Sequence, residues 1–141
     1  MTRAELVMAA LSTSKGKLFS PVQVQKLFFL IDRELGERIG GPYFDFQPYN
    51  YGPFDKDVYE ELTALFSAGM VEEVPERNWI SYRLSIFGQE RGERVLASLD
   101  PAAKDFFQKA SSFVRGLSFT DLVRAIYKAY PDMRANSVFQ G

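Results

Sequence analysis

The sequence predicts a mainly α-helical fold with a small β-hairpin, of the α+β class. Before Gly69, apolar residues recur at helical spacing, and this glycine suits a left-handed helix end. Residues 70–74 and 80–84 then form two strand-like runs, joined by a loop of hairpin length. Ser85 can cap a further helix. Helix, hairpin and helix in this order predict the second half of a winged helix-turn-helix, with a core over about residues 20–99.

Two capping boxes predict the first two helices. Thr2 with Glu5 forms the first box, and Ser20 with Gln23 forms the second. A proline directly after the second cap occupies the favoured first helical position. The second helix is therefore expected over residues 21–35.

A short strand and a turn are predicted before the third helix. Phe44 and Phe46 alternate with polar residues over 43–49, as in a half-buried strand, and Pro48 limits this strand to an edge or a short length. The helix after Gly52-Pro53 is expected to bury four apolar side chains. These are Val58, Leu62, Leu65 and Phe66.

Three more helices are predicted in the second half of the chain. The helix capped by Ser85 would bury Gly88 and Gly92, which indicates close packing against a neighbour. Asp100-Pro101 and Ser118 begin the last two helices. We expect a single domain over residues 1–141, with the winged-helix-like core followed by a helical pair at about 100–131 and a short tail at 132–141.

Composition argues against an enzyme. The chain of 141 residues has no cysteine and no histidine, which excludes thiolate chemistry and removes the commonest general base and metal ligand. Glycines 36, 40 and 41 lack the lysine of a phosphate-binding loop. We expect no catalytic residues, no metal and no cofactor. The N-terminus has too short an apolar run for a signal peptide or membrane span, so a cytoplasmic protein without membrane contact is expected.

The charge of residues 55–77 disfavours nucleic acid as a partner. Seven acids stand there against two bases, Lys56 and Arg77. The third helix of a winged helix would enter the major groove, where carboxylates repel phosphate. Conventional binding of duplex DNA is therefore disfavoured, although another basic face could still bind it. The seven acids are Asp55, Asp57, Glu60, Glu61, Glu72, Glu73 and Glu76.

Aromatic residues are unusually dense between residues 43 and 54. Such side chains pack in cores, anchor protein interfaces or stack on single-stranded bases. The last use favours interleaved Arg or Lys, and none occurs between residues 40 and 54. Core packing and a protein interface are therefore the stronger interpretations. The aromatic residues are Tyr43, Phe44, Phe46, Tyr49, Tyr51 and Phe54.

The second helix is apolar on almost its whole circumference. At about 100° per residue, Phe29 falls within its narrow polar arc, so either another element of the domain or a partner must cover this ring. The polar arc comprises Gln25, Lys26, Asp32 and Arg33.

Three short motifs resemble the Panacea family of small bacterial and phage proteins. They are QKLFF at 25–29, YGPF at 51–54 and YRLS at 82–85. The resemblance covers about residues 22–99, whereas residues 126–138 depart from that pattern and look closer to the uncharacterised YwgA-like relatives.

The resemblance implies a mostly helical cytoplasmic domain that binds proteins without a cofactor, often as the neutralising partner of a toxin. It places Lys26 on the central helix of the family and Tyr51, Gly52 and Pro53 in its signature turn. Gly52 and Pro53 also fix the backbone before the third helix, which is a structural role.

The leading hypothesis is a non-catalytic protein-binding regulator of the antitoxin type, whose basic partner is a toxin encoded nearby. A homodimer is also left open. The alternative is a winged-helix transcriptional regulator that binds DNA through Lys56, Arg77 and Arg83. The residues predicted to contact the protein partner are Lys26, Phe29, Tyr49, Tyr51, Phe54, Glu60 and Glu61.

Overall fold

A computed structural model describes all of residues 1–141 and confirms the mainly helical α+β fold. Six α-helices accompany two separate two-stranded antiparallel sheets. In chain order the elements are α1 (Arg3–Ser12), α2 (Pro21–Leu35), a short 3-10 helix (Gly36–Ile39), β1 (Gln47–Tyr49), β2 (Gly52–Phe54), α3 (Asp57–Ser67), β3 (Val71–Pro75), β4 (Ile80–Leu84), α4 (Ile86–Ser98), α5 (Pro101–Gly116), α6 (Phe119–Ala129) and a second 3-10 helix (Pro131–Arg134).

The predicted helix starts are confirmed because the capping side chains make their hydrogen bonds. The Oγ1 of Thr2 accepts from the Glu5 backbone N–H at 3.1 Å, and the Thr2 N–H donates to the Glu5 carboxylate at 2.8 Å. The second box, which begins at Ser20, is complete in the same way. Since each box satisfies two N–H groups that a helix leaves free, α1 and α2 begin at defined residues.

The predicted hairpin is also confirmed. Strands β3 and β4 pair in register from Val71 opposite Leu84 to Pro75 opposite Ile80. An isolated bridge then joins this hairpin to the segment before α2. Phe19 and Tyr82 exchange two backbone hydrogen bonds of 2.8 Å. The winged-helix comparison itself stays a prediction.

The strand predicted at 43–49 is wrong over its first half. Only Gln47–Tyr49 forms β1, which pairs with β2 and has Gln47 opposite Phe54. The backbone N–H groups of Tyr43 and Phe44 donate instead to the carboxylate of Asp32 on α2. This segment is therefore attached to the helix rather than to a sheet.

Two glycines allow α4 to approach its neighbours closely, as predicted. A Cβ on Gly92 would overlap the carbonyl oxygen of Met8 on α1, and a Cβ on Gly88 would overlap that of Met70. Any larger residue would force these backbones apart. All six helices contribute to one cluster of 29 buried apolar residues, in which α2 contacts α1, α3, α5 and β4.

Phe66 does not join the buried stripe of α3. Its side chain is 46% exposed, whereas Val58, Leu62 and Leu65 are buried. At about 100° per residue, Phe66 lies about 80° from Val58 around the helix, at the edge of the stripe. The prediction of its burial is therefore wrong. None of the helices has the length and apolar character that a membrane span requires.

Candidate protein-binding site

Three of the four residues in the polar arc of α2, namely Gln25, Lys26 and Asp32, face the segment at 43–55 rather than solvent, whereas Arg33 is exposed and pairs with Asp132. The amide of Gln25 accepts from the Asp55 N–H at 3.0 Å and donates to the Asp55 carbonyl at 2.9 Å. Asp32 accepts from two backbone N–H groups at the other end of the segment, at 2.8 and 2.9 Å. Both side chains are buried. Together with Lys26 they form what we call the α2 clamp, which fixes both ends of the segment.

Lys26 completes the clamp with a buried ammonium group. Its Nζ donates to the carbonyl of Pro53 at 3.2 Å and has no carboxylate within ion-pair distance. Burial lowers the pKa of Lys26 to about 8 because the charged form loses hydration. Gly52 lies next to this side chain, because a Cβ added to the glycine would be 3.5 Å from the Cε of Lys26, an ordinary van der Waals distance. The prediction that Lys26 is accessible to a partner is wrong.

Phe29 is likewise covered from within the chain. Its ring is 2% exposed and packs edge-on against Phe46 and Tyr130, with centroid distances of 5.7 and 5.0 Å. The guanidinium of Arg33 lies 5.2 Å from the centroid of the ring. Of the two alternatives for this ring, another element of the domain covers it, so the prediction of a partner contact at Phe29 is wrong.

The β1–β2 turn, in contrast, presents aromatic side chains to solvent. Tyr49 is 52% and Tyr51 is 44% exposed. Phe54 is half-buried, and its ring lies 5.1 Å from that of Tyr49 and 5.9 Å from that of Tyr59. The predicted residues Tyr49 and Tyr51 therefore lie on the surface, on a backbone that the α2 clamp holds in place.

An apolar groove of about 500 Å³ lies beside this turn. The start of α2, the β3–β4 loop and the start of α6 form its walls. Phe119 links groove and turn, because its exposed ring also packs edge-on against Tyr51 at 5.2 Å. We call the exposed rings of Tyr49, Tyr51, Trp79 and Phe119, with the groove, the aromatic surface. The groove is lined by Ser20, Pro21, Val22, Gln23, Trp79, Leu117, Phe119 and Leu122.

Sequence reasoning missed two members of the aromatic surface. Phe119 follows the apolar spacing of α6, which by itself indicates burial, but it is the first residue of the helix and is 45% exposed. Trp79 lies in the hairpin loop, and its indole N–H donates to the Ser81 hydroxyl at 3.1 Å. A large aromatic residue at a hairpin loop is a signal that could have indicated Trp79.

The acidic face is smaller than the sequence suggested. Asp57 pairs with Arg3 at 3.2 Å, and Glu72 pairs with Arg83 at 2.8 Å. The carboxylate of Asp55 accepts the backbone N–H groups of Asp45 and Asp57. The four remaining acids have no ion-pair partner, and they include both predicted contact residues of α3. These four are Glu60, Glu61, Glu73 and Glu76.

The basic residues of the alternative DNA interface are only partly free. Lys56 at the start of α3 and Arg77 in the hairpin loop are exposed and make no ion pair. The Nε of Arg83 donates to Glu72, which offsets its charge. No group of three or more carboxylates converges to form a metal site.

Comparisons with known proteins add no relative. No protein-family model matches the chain, and no curated protein or solved structure is significantly similar to it. The resemblance to the Panacea family therefore stays a prediction.

Proposed function

We propose that this chain is a non-catalytic protein-binding regulator that acts through the aromatic surface. One observation carries the proposal: the exposed rings of Trp79 and Phe119 line an apolar groove, and Phe119 also packs against the exposed ring of Tyr51 in the β1–β2 turn. Aromatic side chains are enriched where proteins bind each other, because they bury a large area and lose little side-chain entropy. The α2 clamp fixes the turn beforehand, which reduces the entropy lost on binding.

We further propose that the partner is a basic protein and that the regulator is of the antitoxin type, acting in the cytoplasm. Four acids on α3 and the hairpin have no ion-pair partner and outnumber the two unpaired bases of the same region, Lys56 and Arg77. Complementary charge speeds association and excludes unsuitable partners more than it adds affinity. The resemblance of YGPF at 51–54 to the Panacea signature turn supports the same function, since Tyr51 belongs to the aromatic surface.

The proposal is tested by titrating the purified product of the adjacent gene into this chain by calorimetry. Tyr51→Ala and Phe119→Ala should each weaken binding by about tenfold or more, as expected for aromatic anchors. Phe87→Ala is the matched control, because its ring is 69% exposed at the start of α4, outside the aromatic surface. Equal losses in all three variants, or no loss in the first two, would rule out this surface.

DNA binding is the second candidate function, favoured by one observation. The bridge between Phe19 and Tyr82 adds a third backbone segment to the hairpin, an arrangement compatible with a wing. We expect no complex with the chain's own promoter DNA at low salt, given the unpaired acids on α3. A complex that weakens steeply with salt and on Arg77→Ala or Arg83→Ala would favour this function instead.

A further inference from the structure

The last residues of the chain lie against the backbone of the β1–β2 turn, which carries Tyr49 and Tyr51. In this final segment, residues 135–141, the Val138 N–H donates to the carbonyl of Asn50 at 3.0 Å. The side-chain amide of Asn136 donates to the carbonyl of Pro48 at 3.1 Å. Both acceptors belong to the turn that carries Tyr49 and Tyr51, so one backbone and one side-chain hydrogen bond attach the segment to the backbone of this turn.

A serine and an aromatic ring strengthen this contact. The Ser137 hydroxyl accepts from the Tyr127 hydroxyl at 2.6 Å and donates to the Asn50 carbonyl at 3.3 Å. The ring of Phe139 packs against Tyr127 and Phe119, with centroid distances of 6.1 and 6.4 Å. Because Phe119 belongs to the aromatic surface, the final segment already occupies part of the proposed binding site.

This contact is shallow. Met133 is the last buried residue of the chain, and Val138 points largely into solvent. The segment forms no regular helix or strand after the second 3-10 helix. Segments with few buried apolar contacts separate from a domain at low cost, without unfolding it.

We propose that the final segment occupies the place of a partner peptide, and that this peptide is extended and presents a small polar residue and, two positions later, an aromatic residue. The order Ser137-Val138-Phe139 supplies this pattern within the chain itself. The inference rests on the proposed function, since it names the kind of partner segment that the aromatic surface binds. The partner and the final segment then compete for Asn50 and Phe119.

Competition within one chain has a measurable consequence. A tethered segment acts at an effective concentration of about millimolar, so a free peptide of similar affinity is largely excluded. Weakening the final segment should therefore expose the site and raise the affinity for added peptide.

The test uses a fluorescent synthetic peptide of residues 135–141 and the full-length chain, measured by fluorescence anisotropy. Phe139→Ala in the protein should bind the peptide about tenfold or more tightly than the wild type does. Ser137→Ala, which removes the hydroxyl contacts, is a second opening variant. A peptide carrying alanine in place of its phenylalanine should not bind, and Phe119→Ala combined with Phe139→Ala should abolish binding. Phe87→Ala should behave as the wild type.

Equal peptide affinity in wild type and both opening variants would overturn the inference, as would equal binding of a scrambled peptide. A wild-type dimer that Phe139→Ala abolishes would show exchange of the segment between two copies, which also overturns it. The proposed function is judged separately by the calorimetric titration of the adjacent gene product. If the adjacent gene product does not bind but the peptide binds as expected, the proposed function alone is contradicted. If the adjacent gene product binds as expected but the peptide does not, the inference alone is contradicted.

Discussion

The α2 clamp and the β1–β2 turn are adjacent, and both contain residue types that favour binding. The side chains of the clamp are nevertheless buried, whereas the rings of the turn are exposed. Gln25, Lys26 and Asp32 satisfy backbone groups of the segment at 43–55 and are buried. Tyr49 and Tyr51 lie on that same segment and are exposed. Buried polar groups in folded proteins are nearly always hydrogen-bonded, so the side chains of the clamp have a structural role and are not available to a partner. The rings of Tyr49 and Tyr51 in the turn, by contrast, remain accessible to a partner.

The difference shows how a polar arc on a helix should be interpreted. Polar residues on an otherwise apolar helix indicate that something polar lies opposite, which here is irregular backbone that a sheet does not satisfy. The exposed rings, in contrast, satisfy no buried polar group of the fold. Three substitutions, at Asp32, Lys26 and Tyr51, test this difference between the buried and the exposed residues.

The largest effect is expected for Asp32→Ala. Removing this carboxylate leaves the Tyr43 and Phe44 N–H groups without their acceptor in a buried setting, which costs about 3 kcal/mol of the free energy of unfolding. Urea denaturation followed by circular dichroism measures it. Asp45→Ala is the matched control on an exposed carboxylate of the same segment. A loss below that of the control would show that the clamp does not hold the segment.

Lys26→Met should change how stability depends on pH. The pKa of Lys26 is about 8 in the folded chain and about 10.4 in an unfolded one, so the unfolded state binds more protons between these values. Stability of the wild type should therefore rise from pH 7 to 9.5, by up to about 2 kcal/mol. Lys26→Met should lack this rise, and Lys56→Met, at an exposed lysine, should keep it.

The upper limit of that window is set by tyrosines. Burial raises the pKa of Tyr59 and of Tyr130 to about 12, so above pH 10 the unfolded state loses protons first and stability falls again. Thermal unfolding at a series of pH values follows both changes. A wild-type stability that is flat or falling between pH 7 and 9.5 would contradict the buried position of the ammonium group.

The smallest effect on stability is expected for Tyr51→Ala. Its ring is half-exposed and makes one aromatic contact, with Phe119, so the free energy of unfolding should fall by about 1 kcal/mol or less. The same denaturation experiment measures it. A loss as large as that of Asp32→Ala would remove the distinction between clamp and turn, because the turn would then also be structural.

Sequence predicted well what depends on local chemistry. The caps at Thr2, Ser20, Ser85, Asp100 and Ser118 all accept the expected N–H, because a cap acts within four residues of itself. The hairpin was predicted for the same reason. The glycines of α4 indicated close packing against a neighbour, but the sequence did not identify that neighbour as Met8 or Met70.

What sequence did not predict depends on contacts between distant residues. Phe29 is covered by Tyr130, which lies about a hundred positions away, and Phe119 joins Tyr51 from another helix. A helical pattern tells which side chains share a face, but not whether the neighbouring element covers that face. Tyr49 and Tyr51 were predicted as partner contacts while core packing was left open for this aromatic run, and both their exposure and the groove required the three-dimensional structure.

The bridge between Phe19 and Tyr82 has a mechanical consequence for the groove. It ties the start of α2, which forms one wall, directly to the hairpin that carries Trp79. Separating those two walls would therefore require breaking the two backbone hydrogen bonds between Phe19 and Tyr82.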